Sequence, residues 1–264
     1  EEDEGFSTVT PVYWDYQLKW VGPTKRKTRF SAFVYGFNDL LMVSSPEDRS
    51  SSSDADLNGS LGTEYQSHRV LFTMRTKLSD TLTATVVPSV GIDMQKLGIG
   101  DEFTLESDTL LTELRAELEW KAHDALTVTP GLDFIGGKWN FQYNSPFRFS
   151  DLDDPLAERE SIFLDGSGYA YGPEGYLKLT IQPLQQRARL LIVPGLRASL
   201  VSLDYQGSIT GDEANAAWTR GAVEPRLLSR FHVSDSFALK GSSGVYHQPP
   251  QPQESLGIGT TATL

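Results

Sequence analysis

From Thr81 to Met94 the sequence alternates with a period of two, and this pattern limits what the chain can become. Leu82, Ala84, Val86, Pro88, Val90, Ile92 and Met94 fall on one side, and Thr81, Thr83, Thr85, Ser89, Gly91 and Asp93 on the other. Only an extended strand has that period, and it is one with an apolar face and a polar face. Val70, Phe72, Met74, Thr76 and Leu78 oppose Arg69, Thr73, Arg75 and Lys77 in the same way. Leu110, Leu114, Ala116, Leu118 and Trp120 oppose Glu113, Arg115, Glu117, Glu119 and Lys121. Helical periodicity is hard to find anywhere.

The pattern predicts ten strands, near residues 12–21, 28–43, 66–78, 81–95, 109–122, 126–143, 171–183, 187–205, 218–233 and 236–247. Many exceed the usual soluble strand of about 5 to 6 residues, a length that favours a membrane barrel. The connections also divide. Short ones fall at Ser79-Asp80, His123 to Ala125, Leu184 to Gln186 and Ser234-Asp235, with a basic one from Gly22 to Thr28; long ones are expected near 44–64, 95–108, 144–170 and 206–217. Short and long alternate, as do the tight inner turns and extended outer loops of an outer-membrane barrel.

Charge follows the same division. Residues 1–4 and the four long connections hold 21 acidic and 4 basic residues, which leaves 14 acidic and 19 basic for everything else. Aromatics suggest two girdles at the bilayer interfaces: Trp20 and Trp120 beside short turns, and Trp139, Tyr143, Tyr205, Trp218 and Tyr246 toward the long ones. Pro88, Pro130, Pro194 and Pro225 fall in mid-strand, where a missing N–H is expected to be absorbed by bulges.

Composition excludes other classes. The longest apolar runs, such as Leu190 to Val193, are far short of the roughly 18 residues of a transmembrane helix. There is no cysteine, so disulfide scaffolds and cysteine-ligated metals fall away. A net charge of −12 opposes nucleic acid as a partner. The expected fold class is thus all-β, an antiparallel transmembrane β-barrel. In a ten-strand reading both ends of the chain lie on the long-loop side. The expectation is therefore that 1–264 is a segment of a larger, 22-strand-type barrel, with strands before and after it.

Several stretches carry a family likeness. Val223-Glu224-Pro225-Arg226-Leu227, Val233-Ser234-Asp235-Ser236-Phe237-Ala238-Leu239-Lys240-Gly241 and Tyr246-His247-Gln248-Pro249-Pro250-Gln251-Pro252 follow one another between Thr219 and Glu254. Together they resemble the mid-barrel of TonB-dependent outer-membrane receptors. Leu191 to Arg197 and Tyr13 to Leu18 are similar to further barrel segments of that family. The resemblance implies energised uptake of a scarce ligand of the metal-chelate, cobalamin or oligosaccharide class. It also implies residence in the outer-membrane lipid and partnership with the TonB energy-transducing complex through a plug domain. The plug and its TonB-contacting box have no counterpart in 1–264. The alternative is a self-contained small barrel acting as an adhesin, a structural protein or an enzyme.

Chemistry-bearing clusters are few. His68, His123, His232 and His247 do not sit in runs that pair them with a serine and a carboxylate, so no catalytic residues and no cofactor are expected. Asp151, Asp153 and Asp154 read as a solvated acidic loop, with a calcium-type site as the weaker alternative because the spacing is not that of an EF-hand. Arg75, Glu113, Arg115, Glu117, Lys178 and Arg189 are expected to line the lumen and pair across strands. The residues that would contact a ligand cannot be named from the sequence.

Overall fold

The computed structural model describes residues 8–23, 27–44, 60–100, 103–145, 161–183 and 190–247. They form one antiparallel sheet with no helix among the described residues. The strands are β1 (Thr8–Val21), β2 (Thr28–Ser44), β3 (Ser60–Lys77), β4 (Leu82–Ile99), β5 (Phe103–His123), β6 (Leu126–Ser145), β7 (Ile162–Ile181), β8 (Leu190–Ile209), β9 (Asp212–His232) and β10 (Ala238–Gly244). Each pairs with its neighbours in sequence, giving the order β1 to β10. Among the described residues β1 and β10 make no contact, so this sheet is an open wall rather than a closed ring.

All ten expected strands are present, and the all-β antiparallel class holds. Their outer ends are longer than the sequence pattern suggested. Two of the expected long connections are largely strand: β4 continues to Ile99 and β5 begins at Phe103, while β8 and β9 are joined only by Thr210 and Gly211. Those two residues have φ of 51° and 92°. Positive φ at both central positions is the signature of a type I′ hairpin turn, whose twist matches that of the flanking strands. Gly100, with φ of 59°, marks the corresponding corner after β4.

The mid-strand prolines do not cause bulges. Around Pro88 the β3–β4 ladder lapses between Leu71↔Ser89 and Met74↔Val86 and resumes in the same register, while β4–β5 runs unbroken through Pro88↔Leu114. The reason is that alternate residues of a strand address opposite neighbours, so a missing N–H is felt on one side only. Pro194 behaves alike, lapsing toward β7 and keeping its partner Leu227 on β9. A register shift does occur between Lys121 and His123, at a turn.

Candidate binding face and outer mouth

The register sorts side chains into an inner face, which bears a cavity, and an outer face. On β4 the outer face carries Leu82, Ala84, Val86, Val90 and Ile92, and the inner face Thr83, Thr85, Ser89 and Asp93, the facing expected from the alternation. On β5 the outer face from Leu110 to Trp120 is apolar, with Leu110, Leu114, Leu118 and Trp120 all exposed. Leu132, Leu177, Leu196, Leu200 and Val223 continue this exposed apolar surface on β6 to β9. Leu110 and Trp120 are ten residues apart, about 34 Å along a strand and about 26 Å in height at the roughly 40° tilt of barrel strands. That height is the apolar band of an outer-membrane barrel.

Behind the band, the inner face is ionic. Arg69 meets Asp93 at 2.8 Å and Glu113 at 3.7 Å. Arg115 donates two hydrogen bonds to Asp133, at 2.8 and 3.1 Å. Arg197 donates to Asp133 Oδ2, the oxygen that also accepts from Arg115 Nη2, at 2.6 Å and meets Glu174 at 2.5 Å. Charge-assisted forks of this kind are the strong members of a polar network. Glu117 accepts from the Tyr176 hydroxyl at 2.8 Å and faces Lys178 at 3.9 Å, and Arg75 lies 3.7 Å from Glu119. Arg75, Glu113, Arg115, Glu117 and Lys178 are thus all engaged across strands on one face. Arg189 lies outside the described residues, as do Asp151, Asp153 and Asp154. The described residues contain no grouping of carboxylates and histidines fit to hold a metal ion.

Sequence reasoning missed the centre of this network. Asp133, flanked by Leu132, Phe134 and Ile135, is a lone charge in an apolar run, yet it joins β5 to β8 through two guanidinium groups. Glu224 was missed as well: it is 5% exposed, pairs with Arg226 and accepts the backbone N–H of His247 at 2.7 Å. For Asp133, a lone charge at the inner phase of an apolar run was the available signal.

Above the band the polarity of the two faces exchanges. On β5 the apolar residues move from even positions (Leu110 to Trp120) to odd ones (Phe103, Leu105), while Glu106 and Asp108 turn outward. β6 does the same, with Trp139, Phe141 and Tyr143 inside and Lys138, Asn140 and Gln142 outside. Phe103, Trp139, Phe141, Tyr143, Leu164, Leu203 and Tyr205 form a buried cluster on the inner face. Trp139, Tyr143 and Tyr205 are therefore core residues of the outer mouth, not members of a lipid-facing girdle as expected. Their phase is inward, and beyond the bilayer the burial of apolar surface has to occur inside. At the upper edge of the band it is Tyr169 and Tyr171 that face outward, with the Lys138 ammonium 6.0 Å from the Tyr169 ring centre.

Glycines make room for this cluster. A Cβ at Gly166 or Gly207 would fall within 2.6 Å of the Tyr205 ring or hydroxyl, and one at Gly168 within 2.9 Å of Trp139. Burial raises the Tyr205 pKa above its ordinary value, and Asp165 adds to the effect.

A cavity of about 760 Å³ spans the junction of the two zones. Trp139, Phe141, Leu203 and Trp218 line it together with Asp93, Glu174, Arg197 and Glu224. Arg220 lines it too, with its guanidinium carbon 5.8 Å from the Trp218 ring centre. The histidines are dispersed: His247 lines the cavity, His68 receives or donates a bond with Tyr16 on the outer face, and the His123 ring nitrogen accepts the Ala125 N–H in a turn. Such a cavity, with apolar and charged lining side by side, suits an amphiphilic guest.

Comparison with solved structures identifies the architecture. The siderophore receptor PiuA from Acinetobacter baumannii matches over 91% of this chain with a TM-score of 0.62 at 11% identity. The ferric yersiniabactin uptake receptor FyuA from Yersinia pestis matches over 89% with a TM-score of 0.51, also at 11% identity. The ferric citrate transporter FecA in its unliganded form matches over 91% at 0.50 and 10% identity. The fold is that of the TonB-dependent receptor barrel. The chain spans less than half the length of each of these receptors, 42–45%. No protein-family description and no curated protein sequence matches it. The ten strands are neighbours in the sheet in the order in which they follow in sequence, and the cavity lies on the inner face of that sheet.

Proposed function

We propose that the chain is a stretch of the wall of an outer-membrane receptor that imports a scarce small ligand, with TonB supplying the energy. The observation that carries the reading is the exchange of polarity along β5 to β9: an apolar outer band one membrane high backed by an ionic inner face, then an apolar interior above it. Such a wall has to meet hydrocarbon outside and water or a polar domain inside, and then stand free in water. The separation of β1 from β10 supports a place in a larger barrel over a small closed one. The three neighbours are a siderophore receptor, a ferric yersiniabactin uptake receptor and a ferric citrate transporter, which puts metal chelates first among the ligand classes. The role is capture and passage, not catalysis, and needs no cofactor.

The test is uptake by cells that express the full-length protein in a strain lacking other receptors. Labelled ferric chelates, cobalamin and an oligosaccharide would be offered with and without an uncoupler of the inner-membrane proton gradient. Accumulation of one class that collapses with the uncoupler supports the reading. Passive, size-limited entry of all three would overturn it in favour of a simple pore.

A further inference from the structure

Two concavities lie one above the other on the outer face of β5 to β9. The lower one, of about 630 Å³, falls within the apolar band. Leu132 and Phe134 on β6 form one side of it and Leu200 and Val223 the other. Between them the outer phase is held by Gly175 and Ala198, which are register partners. A Cβ at Gly175 would approach only Leu132, at 3.7 Å, so the floor of this groove is open and not filled by a neighbour.

The upper concavity, of about 550 Å³, lies beyond the band and has the opposite chemistry. Asp108, Asn140, Ser167 and Gln206 are successive register partners across its floor, with the pair Gln142 and Asp165 one row higher. Among the described residues, none of these six side chains is spent on a hydrogen bond or ion pair within the wall. On the inner face, by contrast, Asp93, Glu113, Glu117 and Asp133 are all paired. Tyr169 and Tyr171 stand on β7 between the two concavities, both exposed, with the Lys138 ammonium beside Tyr169. Phe134 and Asn140 are six residues apart on β6, about 20 Å along the strand and about 16 Å in height at the roughly 40° tilt of barrel strands.

From the band upward the same strands thus offer an apolar groove, an aromatic step and a hydrogen-bonding cleft. Amides beside carboxylates and a hydroxyl suit vicinal hydroxyl groups, each of which both donates and accepts. An exposed tyrosine ring gives the apolar face of a sugar ring a surface to lie on. A phosphate headgroup fits badly, because Asp108 and Asp165 would repel it. A soluble sugar, in turn, gains nothing from a groove at bilayer depth. One molecule that meets all three features has an acyl chain joined to a saccharide.

We propose that the outer face of β5 to β9 is a binding site for one glycolipid, with an acyl chain in the groove between Leu132–Phe134 and Leu200–Val223 and its saccharide headgroup in the cleft of Asn140, Ser167 and Gln206. The proposal rests on the barrel-wall reading given above. It adds a lipid selected by its headgroup, held outside the path of any transported ligand.

The test uses the full-length protein in phosphatidylcholine vesicles that carry a small fraction of a diacyl monoglucoside with a diazirine in its acyl chain. Phosphatidylglycerol with the same chain is the comparison. Photo-adducts of the glucoside should concentrate at Leu132, Phe134, Leu200 and Val223 and exceed those of the phosphatidylglycerol about tenfold, as expected when only one headgroup makes a few net hydrogen bonds. Asn140→Ala/Gln206→Ala should erase that preference without moving the unfolding midpoint, since both side chains are exposed. Gly175→Leu/Ala198→Leu should remove the groove adducts of both probes, and Val90→Leu, outside both concavities, should change neither. Equal labelling by the two probes, a preference that survives Asn140→Ala/Gln206→Ala, or displacement of the glucoside by a soluble glucose oligomer would overturn the proposal. Adducts that remain confined to the outer face in those cases would leave the barrel-wall reading standing, whereas adducts on the inner face would remove both.

Discussion

The rings of Trp139 on β6 and Tyr205 on β8 lie parallel, with centroids 5.3 Å apart and planes 8° from coplanar, although β7 runs between their strands. They can meet because β7 presents Gly166 and Gly168 beneath them. This stack bridges three strands above the membrane band and holds the outer mouth together where lipid no longer supports the wall.

Its removal should be costly. Tyr205 is 1% exposed, and Tyr205→Ala should destabilise the folded barrel by about 3 kcal/mol, in the range for deleting a buried aromatic. Gly168→Val should cost a similar amount by pushing Trp139 out of place. Urea unfolding in lipid vesicles followed by tryptophan emission checks both.

Tyr205 also predicts an alkaline limit. Unfolded tyrosine ionises near pH 10, and burial, followed by Asp165, raises the folded value above that. The fold accommodates the neutral phenol. Its contribution is therefore fully present below about pH 10 and is lost as pH rises through the folded value. Unfolding midpoints across the alkaline range should fall less steeply for Tyr205→Phe than for the parent, and phenolate absorbance should show one late-titrating tyrosine fewer.

Asp133 is the shared acceptor of Arg115 and Arg197. Asp133→Asn should cost about 2 kcal/mol, as expected for losing charged hydrogen bonds on a partly wet face. Adding Arg115→Met should recover part of that loss, because Arg197 keeps Glu174. Additive losses in the double variant, measured by the same unfolding titration, would mean that the two residues act independently.

How much of this could be read from the sequence varies by strand. β4 was legible because its alternation keeps one phase from Leu82 to Ile92. β5 was legible only below Leu110, because above it the apolar residues change face and the period-two signal breaks. For the same reason the outer parts of β8 and β9 passed for a loop, with the Thr210-Gly211 turn hidden among polar residues. Trp139 and Tyr205 were recognised as belonging to the outer end but were assigned to lipid, since an aromatic near an interface has the same sequence signature on either face. The ionic face was partly legible in the Glu113 to Lys121 alternation. The place of Asp133 was not, because only the register shows which guanidinium groups it meets.

A charge placed at the middle of the outer band separates membrane from water. Val86 pairs with Ala116, midway between Leu110 and Trp120 in height. Val86→Arg should cost roughly 2 to 4 kcal/mol in lipid, and Thr85→Arg, on the inner face, close to nothing. Equal costs in folding titrations of the full-length protein would contradict the assigned faces.

The most direct test is a depth profile. Single cysteines can be introduced along β5, which has none of its own, and spin-labelled in the full-length protein in lipid after any cysteine outside residues 1–264 has been replaced. Accessibility to oxygen, relative to a water-soluble nickel chelate, should be low at 106 and 108, rise to a maximum near 114 to 116 and fall again at 120, with odd positions from 113 to 119 remaining water-accessible. A profile without that maximum, or one in which odd and even positions behave alike, would contradict the claim that this sheet is a membrane-spanning wall.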